Sequence, residues 1–95
     1  PKIPKQLESI DLRISPNPFQ SQTTIEYYLP ARGKVELQVT DFFGKTLKTL
    51  SSSQLHSQGW QQIQFNSEDL PSGTYFVVLK SAGQLQSQKV VLMRN

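Results

Sequence analysis

The chain has no cysteine and a single histidine in 95 residues. Without thiols there are no disulfides, no thiolate nucleophile and no cysteine-bound metal, and His56 alone cannot form a histidine cluster. The redox compartment stays open, because an oxidising one permits disulfides without requiring them. Long apolar runs are missing as well: only 36% of the residues are hydrophobic, no segment is long enough to cross a bilayer as a helix, and membrane insertion is not expected. The opening residues Pro1-Lys2-Ile3-Pro4-Lys5-Gln6-Leu7-Glu8 lack an apolar core of signal-peptide length. A chain that starts on proline is expected to be a piece cut from a longer polypeptide. Asp41, Glu68 and Asp69 fall on turns without the spaced ladder of a calcium loop, so they read as turn caps and no metal or other cofactor is expected.

Ten Lys and Arg against seven Asp and Glu leave a net charge of +3. The basic residues are scattered from Lys2 to Arg94 rather than gathered in a stripe interleaved with stacking aromatics, so they read as solvated side chains and nucleic acid is not an expected partner. A chain this short makes one domain, which buries only about two thirds of its unfolded surface.

Short strand signals separated by turn signals fill that domain. Residues 1–11 carry two prolines and no sustained period, and read as a linker or loose arm, with the folded domain over residues 12–95. Leu12-Arg13-Ile14 alternates briefly before Ser15-Pro16-Asn17-Pro18-Phe19, where two prolines lack N–H donors; this suits an edge, with Phe19 closing one end of the core. Period two puts Ile25, Tyr27 and Leu29 on one face of the next run, and Val35, Leu37 and Val39 on one face of the run after it. Asp41-Phe42-Phe43-Gly44 is a turn, and residues 45–50 return as the second half of a hairpin with a bulged loop. The polar stretch over residues 51–58 reads as a connection between sheets. In Gly59-Trp60-Gln61-Gln62-Ile63-Gln64-Phe65, Ile63 and Phe65 face inward and Trp60 faces the other way.

Leu70-Pro71-Ser72-Gly73-Thr74-Tyr75-Phe76-Val77-Val78-Leu79 is the most continuous apolar segment. Pro71 fixes its own φ, Gly73 is expected to supply a positive φ for the reversal, and the following strand, apolar on both faces, is expected to be central. The Tyr75 hydroxyl, beside that turn, is placed to bond backbone groups as a tyrosine corner. Residues 85–93 return with Val90 and Leu92 inward. Together these make about seven short strands with no helical period, which predicts an all-β, immunoglobulin-like antiparallel β-sandwich; a small barrel is the alternative.

No catalytic constellation is assembled. His56 lies among polar residues with nothing in the sequence to fix its tautomer, and reads as a surface histidine rather than a base. Trp60, with Tyr27 or Tyr28, offers a stacking platform for a carbohydrate-binding or adhesive module; equally, it covers a sandwich edge.

Several segments taken together resemble a known family. Ser15-Pro16-Asn17-Pro18-Phe19, Thr24-Ile25-Glu26-Tyr27, Leu29-Pro30, Gly33-Lys34-Val35-Glu36-Leu37, Asp41-Phe42-Phe43-Gly44-Lys45, Leu70-Pro71-Ser72-Gly73-Thr74-Tyr75-Phe76 and Lys89-Val90-Val91-Leu92 look like the C-terminal sorting domain of the type IX secretion system of Bacteroidetes, in order and with its spacings. The resemblance implies a non-catalytic signal at the end of an N-terminally attached cargo protein. It implies as partners the outer-membrane translocon that reads the signal and a sortase-like cysteine protease that removes it upstream of the fold. The implied route is export through the periplasm to the cell surface or the extracellular space. Pro16, Asn17, Pro18, Gly73, Tyr75, Lys89, Val90 and Val91 are the implied motif positions. On physical grounds a rigid sandwich adds no ordering cost on binding, and the terminal strand over residues 89–95, with the turn at residues 71–75, is expected to present an edge for β-augmentation.

Overall fold

The computed structural model describes residues 9–94, which form seven strands and no helix. In chain order they are β1 Asp11–Ser15, β2 Gln22–Leu29, β3 Gly33–Thr40, β4 Thr46–His56, β5 Gly59–Asn66, β6 Gly73–Ser81 and β7 Gln84–Leu92. One sheet has the order β1-β2-β5 and the other β4-β3-β6-β7, with every named pair antiparallel. A sandwich of the expected class results. Its core lies between the inner faces: Ile25, Tyr27 and Leu29 from β2, Val35, Leu37 and Val39 from β3, Phe65 from β5, Tyr75, Val77 and Leu79 from β6, and Val90 and Leu92 from β7. On β2, β3 and β7 these are the alternate positions that the period-two reading assigned inward, and on β5 Phe65 is buried while Ile63 is half-buried against the core. β6 lies between β3 and β7, the central place predicted from its apolar run.

Three expectations are corrected. Ile10 is buried in the core and Asp11 opens β1, so the end of the expected 1–11 arm belongs to the fold, while residues 1–8 of that arm lie outside the described residues. The connection expected over residues 51–58 is mostly strand, because β4 runs on to His56. Three register shifts against β3, with Ser53 at φ 58°, absorb its irregularity, and buried Ser51 is satisfied by donating its hydroxyl to the Val35 carbonyl at 2.8 Å. A bulged edge strand with one wet face tolerates serines that otherwise signal a loop. Gly73 does not have a positive φ. It is extended as the first residue of β6, opposite Leu92, and the left-handed residue of that reversal is Glu68, φ 48°.

Candidate functional site

The motif positions converge on the second half of β7. After β1, residues 16–19 cross to that strand and lie along its outer edge. The Asn17 side chain grips the backbone from both sides of Val90: its Nδ2 donates to the Lys89 carbonyl at 2.8 Å and its Oδ1 accepts from the Val91 N–H at 2.9 Å. Phe19 continues the ladder, donating its N–H to the Val91 carbonyl at 2.9 Å and accepting from the Met93 N–H at 2.8 Å. Its ring is buried 5.7 Å from that of Phe65 and closes this end of the core. Pro16 and Pro18, each after a cis peptide bond, place no N–H in this ladder. Pro16 contributes its carbonyl instead, which accepts from the buried Thr23 hydroxyl at 2.7 Å.

The turn before β6 meets the same strand end. Arg94 donates its backbone N–H to Ser72 Oγ at 2.9 Å and its Nε to the Leu70 carbonyl at 2.6 Å. Tyr75, buried, donates its hydroxyl to the Pro71 carbonyl at 2.5 Å, the tyrosine corner expected from its position. Burial pushes the Tyr75 phenol above its ordinary value; Arg94 pulls it back and Asp41 adds to the rise. Val90 is buried, Val91 half-buried, and Lys89, Gly73, Pro16, Asn17 and Pro18 are exposed. A shallow cleft of about 210 Å³ opens here between Pro18, Phe19, Gln20, Met93 and Arg94. The edge for β-augmentation expected along residues 89–95 is therefore closed by the protein's own chain from Lys89 to Met93, while Asn95 lies outside the described residues.

The stacking platform does not assemble as expected. Tyr27 is buried, its hydroxyl 2.6 Å from His56 Nδ1, so its ring offers no face to a ligand, and burial raises its pKa. Tyr28 is half-buried against Trp60, ring centroids 5.4 Å apart. Trp60 is 49% exposed, yet the Arg13 guanidinium sits 4.6 Å from its ring centroid and occupies one face of the indole.

His56 is also corrected. It is half-buried and bonded on both ring nitrogens, with Ser51 Oγ 3.4 Å from Nε2. Ser51 already donates to Val35, so its oxygen is the acceptor for Nε2–H, and Nδ1 shares the second bond with the Tyr27 hydroxyl. A serine, a histidine and a phenol in line resemble a nucleophile relay. Here Ser51 is buried with its proton committed to a backbone carbonyl, so the three groups tie β2 to β4 instead. Sequence reasoning missed this link because Tyr27 lies on β2 and its two partners on β4, in the stretch read as a connection. It also missed Phe42 and Phe43, 68% and 90% exposed at the β3–β4 turn, whose tip is held by Asp41 Oδ1 accepting from the Phe43 and Lys45 N–H groups.

Among the described residues no group of three or more His, Cys, Asp or Glu side chains is placed to hold a metal ion. No curated protein matches the chain. The family model for the secretion system C-terminal sorting domain matches residues 13–93, a span that starts inside β1, ends just past β7 and takes in all the residues gathered at this strand end except Arg94. The chain thus belongs to the family of type IX secretion C-terminal sorting domains, the signals by which that system exports a cargo protein across the outer membrane to the cell surface or beyond.

Proposed function

We propose that this domain is a non-catalytic secretion signal that the type IX translocon reads on a cargo arriving through the periplasm, and that a sortase-like cysteine protease then removes upstream of Ile10. The observation that carries the reading is the convergence of three distant segments on one strand: Asn17 spans Lys89 and Val91, Phe19 pairs with Val91 and Met93, and Arg94 ties to Ser72 and Leu70. Motif residues so placed keep the last strand in register. Asn17, Tyr75 and Val90 act through the fold, since their polar atoms or side chains are already committed within it. Pro16, Pro18, Gly73 and Lys89 remain on the surface, Pro18 lining the cleft with Met93 and Arg94, and are the contacts offered to a receptor.

The test is a gain of function. The full chain is placed at the C-terminus of an unrelated reporter that carries a signal peptide, in a bacterium with a type IX system, and surface reporter is measured by protease accessibility on intact cells. Surface display is expected, with cleavage mapping upstream of Ile10. A reporter that stays in the periplasm overturns the reading, and display without any trimming removes the protease from it.

A further inference from the structure

We infer that β5 is the edge at which the domain accepts an extended, uncharged segment of the translocon as an added strand; the inference rests on the sorting-signal reading above. Two open sheets have four edge strands, and exposed edges are pairing sites unless something blocks them. The other three are each guarded over part of their length. On β1, the Ile10 N–H is taken by Gln84 Oε1 at 3.0 Å and the Leu12 N–H by Asp11 Oδ1 at 2.9 Å. On β7, Asn17 and Phe19 occupy the edge from Lys89 to Met93. On β4, three register shifts and the left-handed Ser53 break the run.

β5 has none of these devices. Its eight residues pair with β2 in one unbroken register, Gln22 opposite Asn66 through to Leu29 opposite Gly59. They include no proline and no charge. The Ser67 N–H bonds the Ser21 carbonyl, so in the antiparallel alternation residues 59, 61, 63 and 65 exchange bonds with β2, and the N–H and C=O groups of Trp60, Gln62 and Gln64 point away from the sheet. Of the outward groups only the Asn66 carbonyl has a partner among the described residues, the Lys48 ammonium at 3.2 Å. A strand laid here would bond the backbones of Trp60, Gln62 and Gln64 and set alternate side chains beside the exposed part of the indole. A second copy of this chain is the weaker occupant, because each copy carries +3 and nothing on β5 offsets it.

Proline at position 62 removes one outward N–H while leaving every bond to β2 in place. The matched control is Ser87→Pro, which removes an outward N–H from the half of β7 that Asn17 and Phe19 leave open. Native chain, Gln62→Pro and Ser87→Pro are compared on the same surface reporter, with circular dichroism of each purified chain confirming the fold. The expected result is a loss of surface reporter of about tenfold or more for Gln62→Pro alone. Equal export of all three overturns the inference and leaves the sorting-signal reading intact, as does equal retention of both folded proline variants. A native reporter that is not exported overturns the sorting-signal reading and this inference with it. Should Gln62→Pro not fold, the double variant Gln62→Lys with Gln64→Lys, which guards the edge without touching the backbone, decides in the same way. A native dimer that either β5 variant dissolves assigns the edge to a second copy and overturns the proposal.

Discussion

The outer edges of β7 and β5 are the same kind of surface treated in opposite ways. Both strands lie at the margin of a sheet and both carry outward backbone groups at alternate residues. Along residues 89–93 of β7 those groups are met by a second segment of the chain, with an asparagine side chain acting as a piece of strand and a phenylalanine finishing the ladder. Along β5 they are left to solvent but for one carbonyl. A strand that closes a β-sandwich is a weak point when its edge is free, because it can fray or pair with another chain. Sealing residues 89–93 keeps the C-terminal end folded as one rigid surface, and it leaves β5 as the longest unguarded edge.

The largest way to break the contrast is to remove the anchor of the seal. Phe19→Ala deletes a buried ring that touches Phe65, and losses for such substitutions run at about 3–5 kcal/mol. In a domain this small that is a large part of the stability, so the melting temperature should fall by well over about 10 °C. The N–H groups of Val91 and Met93 should lose protection from hydrogen exchange in the same variant. A melting temperature within a few degrees of the parent would show that residues 16–19 merely rest on β7.

A smaller change isolates the polar half of the seal. Asn17→Ala removes two hydrogen bonds to strand backbone, at about 0.5–1.5 kcal/mol each. The expected result is a modest fall in melting temperature with faster exchange at Val91, while the amides of β5 stay unchanged. Asn17→Asp is informative beside it: the carboxylate still accepts from the Val91 N–H but meets the Lys89 carbonyl with no donor, so it should be no better than alanine. Recovery by aspartate would assign the effect to the Val91 bond alone.

How much of this was legible in the sequence varies with the range of the interaction. Strict alternation announced β3, because Val35, Leu37 and Val39 report a local backbone period that any sheet with one dry face must use. Tyr75 was legible for the same reason, since its partner Pro71 is four residues away. The second half of β4, residues 51–56, was not, because bulges shift its pairing and serines on a wet edge look like a loop. The role of Asn17 was hidden further, as its partners lie 72 and 74 residues on. Family resemblance marked Asn17 as a motif position, but only coordinates show that it closes an edge. Tyr27, His56 and Ser51 fail in the same way: two polar residues and a phenol carry no local signal that they will meet between sheets.

The tyrosine corner tests whether the turn before β6 belongs to the seal. Tyr75→Phe removes one bond to an exposed turn, worth about 0.5–1.5 kcal/mol. The titration gives it a second signature. Burial raises the Tyr75 phenol in the folded chain above its unfolded value near 10, so the folded state holds its proton more tightly. Its contribution is complete below pH 10 and is lost as pH rises from there through the raised value. Tyr27 is raised by burial in the same direction, so Tyr75→Phe should blunt the alkaline loss of stability in urea titrations without abolishing it. An alkaline limb identical to that of the parent would mean that Tyr27 carries it alone.

The smallest expected effect sharpens the comparison most, because it asks whether β5 is as open as β7 is closed. Gln62 lies on the outer face of β5, exposed and with its backbone N–H and C=O directed away from β2. Gln62→Lys adds an edge charge that meets no core atom, and surface changes of this kind stay within about 0.5 kcal/mol. The N–H groups of Trp60, Gln62 and Gln64 should exchange rapidly in parent and variant alike, while those of Ile63 and Phe65, bonded to β2, exchange only as the sheet opens. Slow exchange at Gln62 in the parent would mean that something already covers this edge in solution, and a second copy would then be sought by sedimentation. Fast exchange with an unchanged melting temperature would establish that β5, unlike the end of β7 covered by residues 16–19, is held open at no cost to stability, which is the state a strand-accepting surface requires.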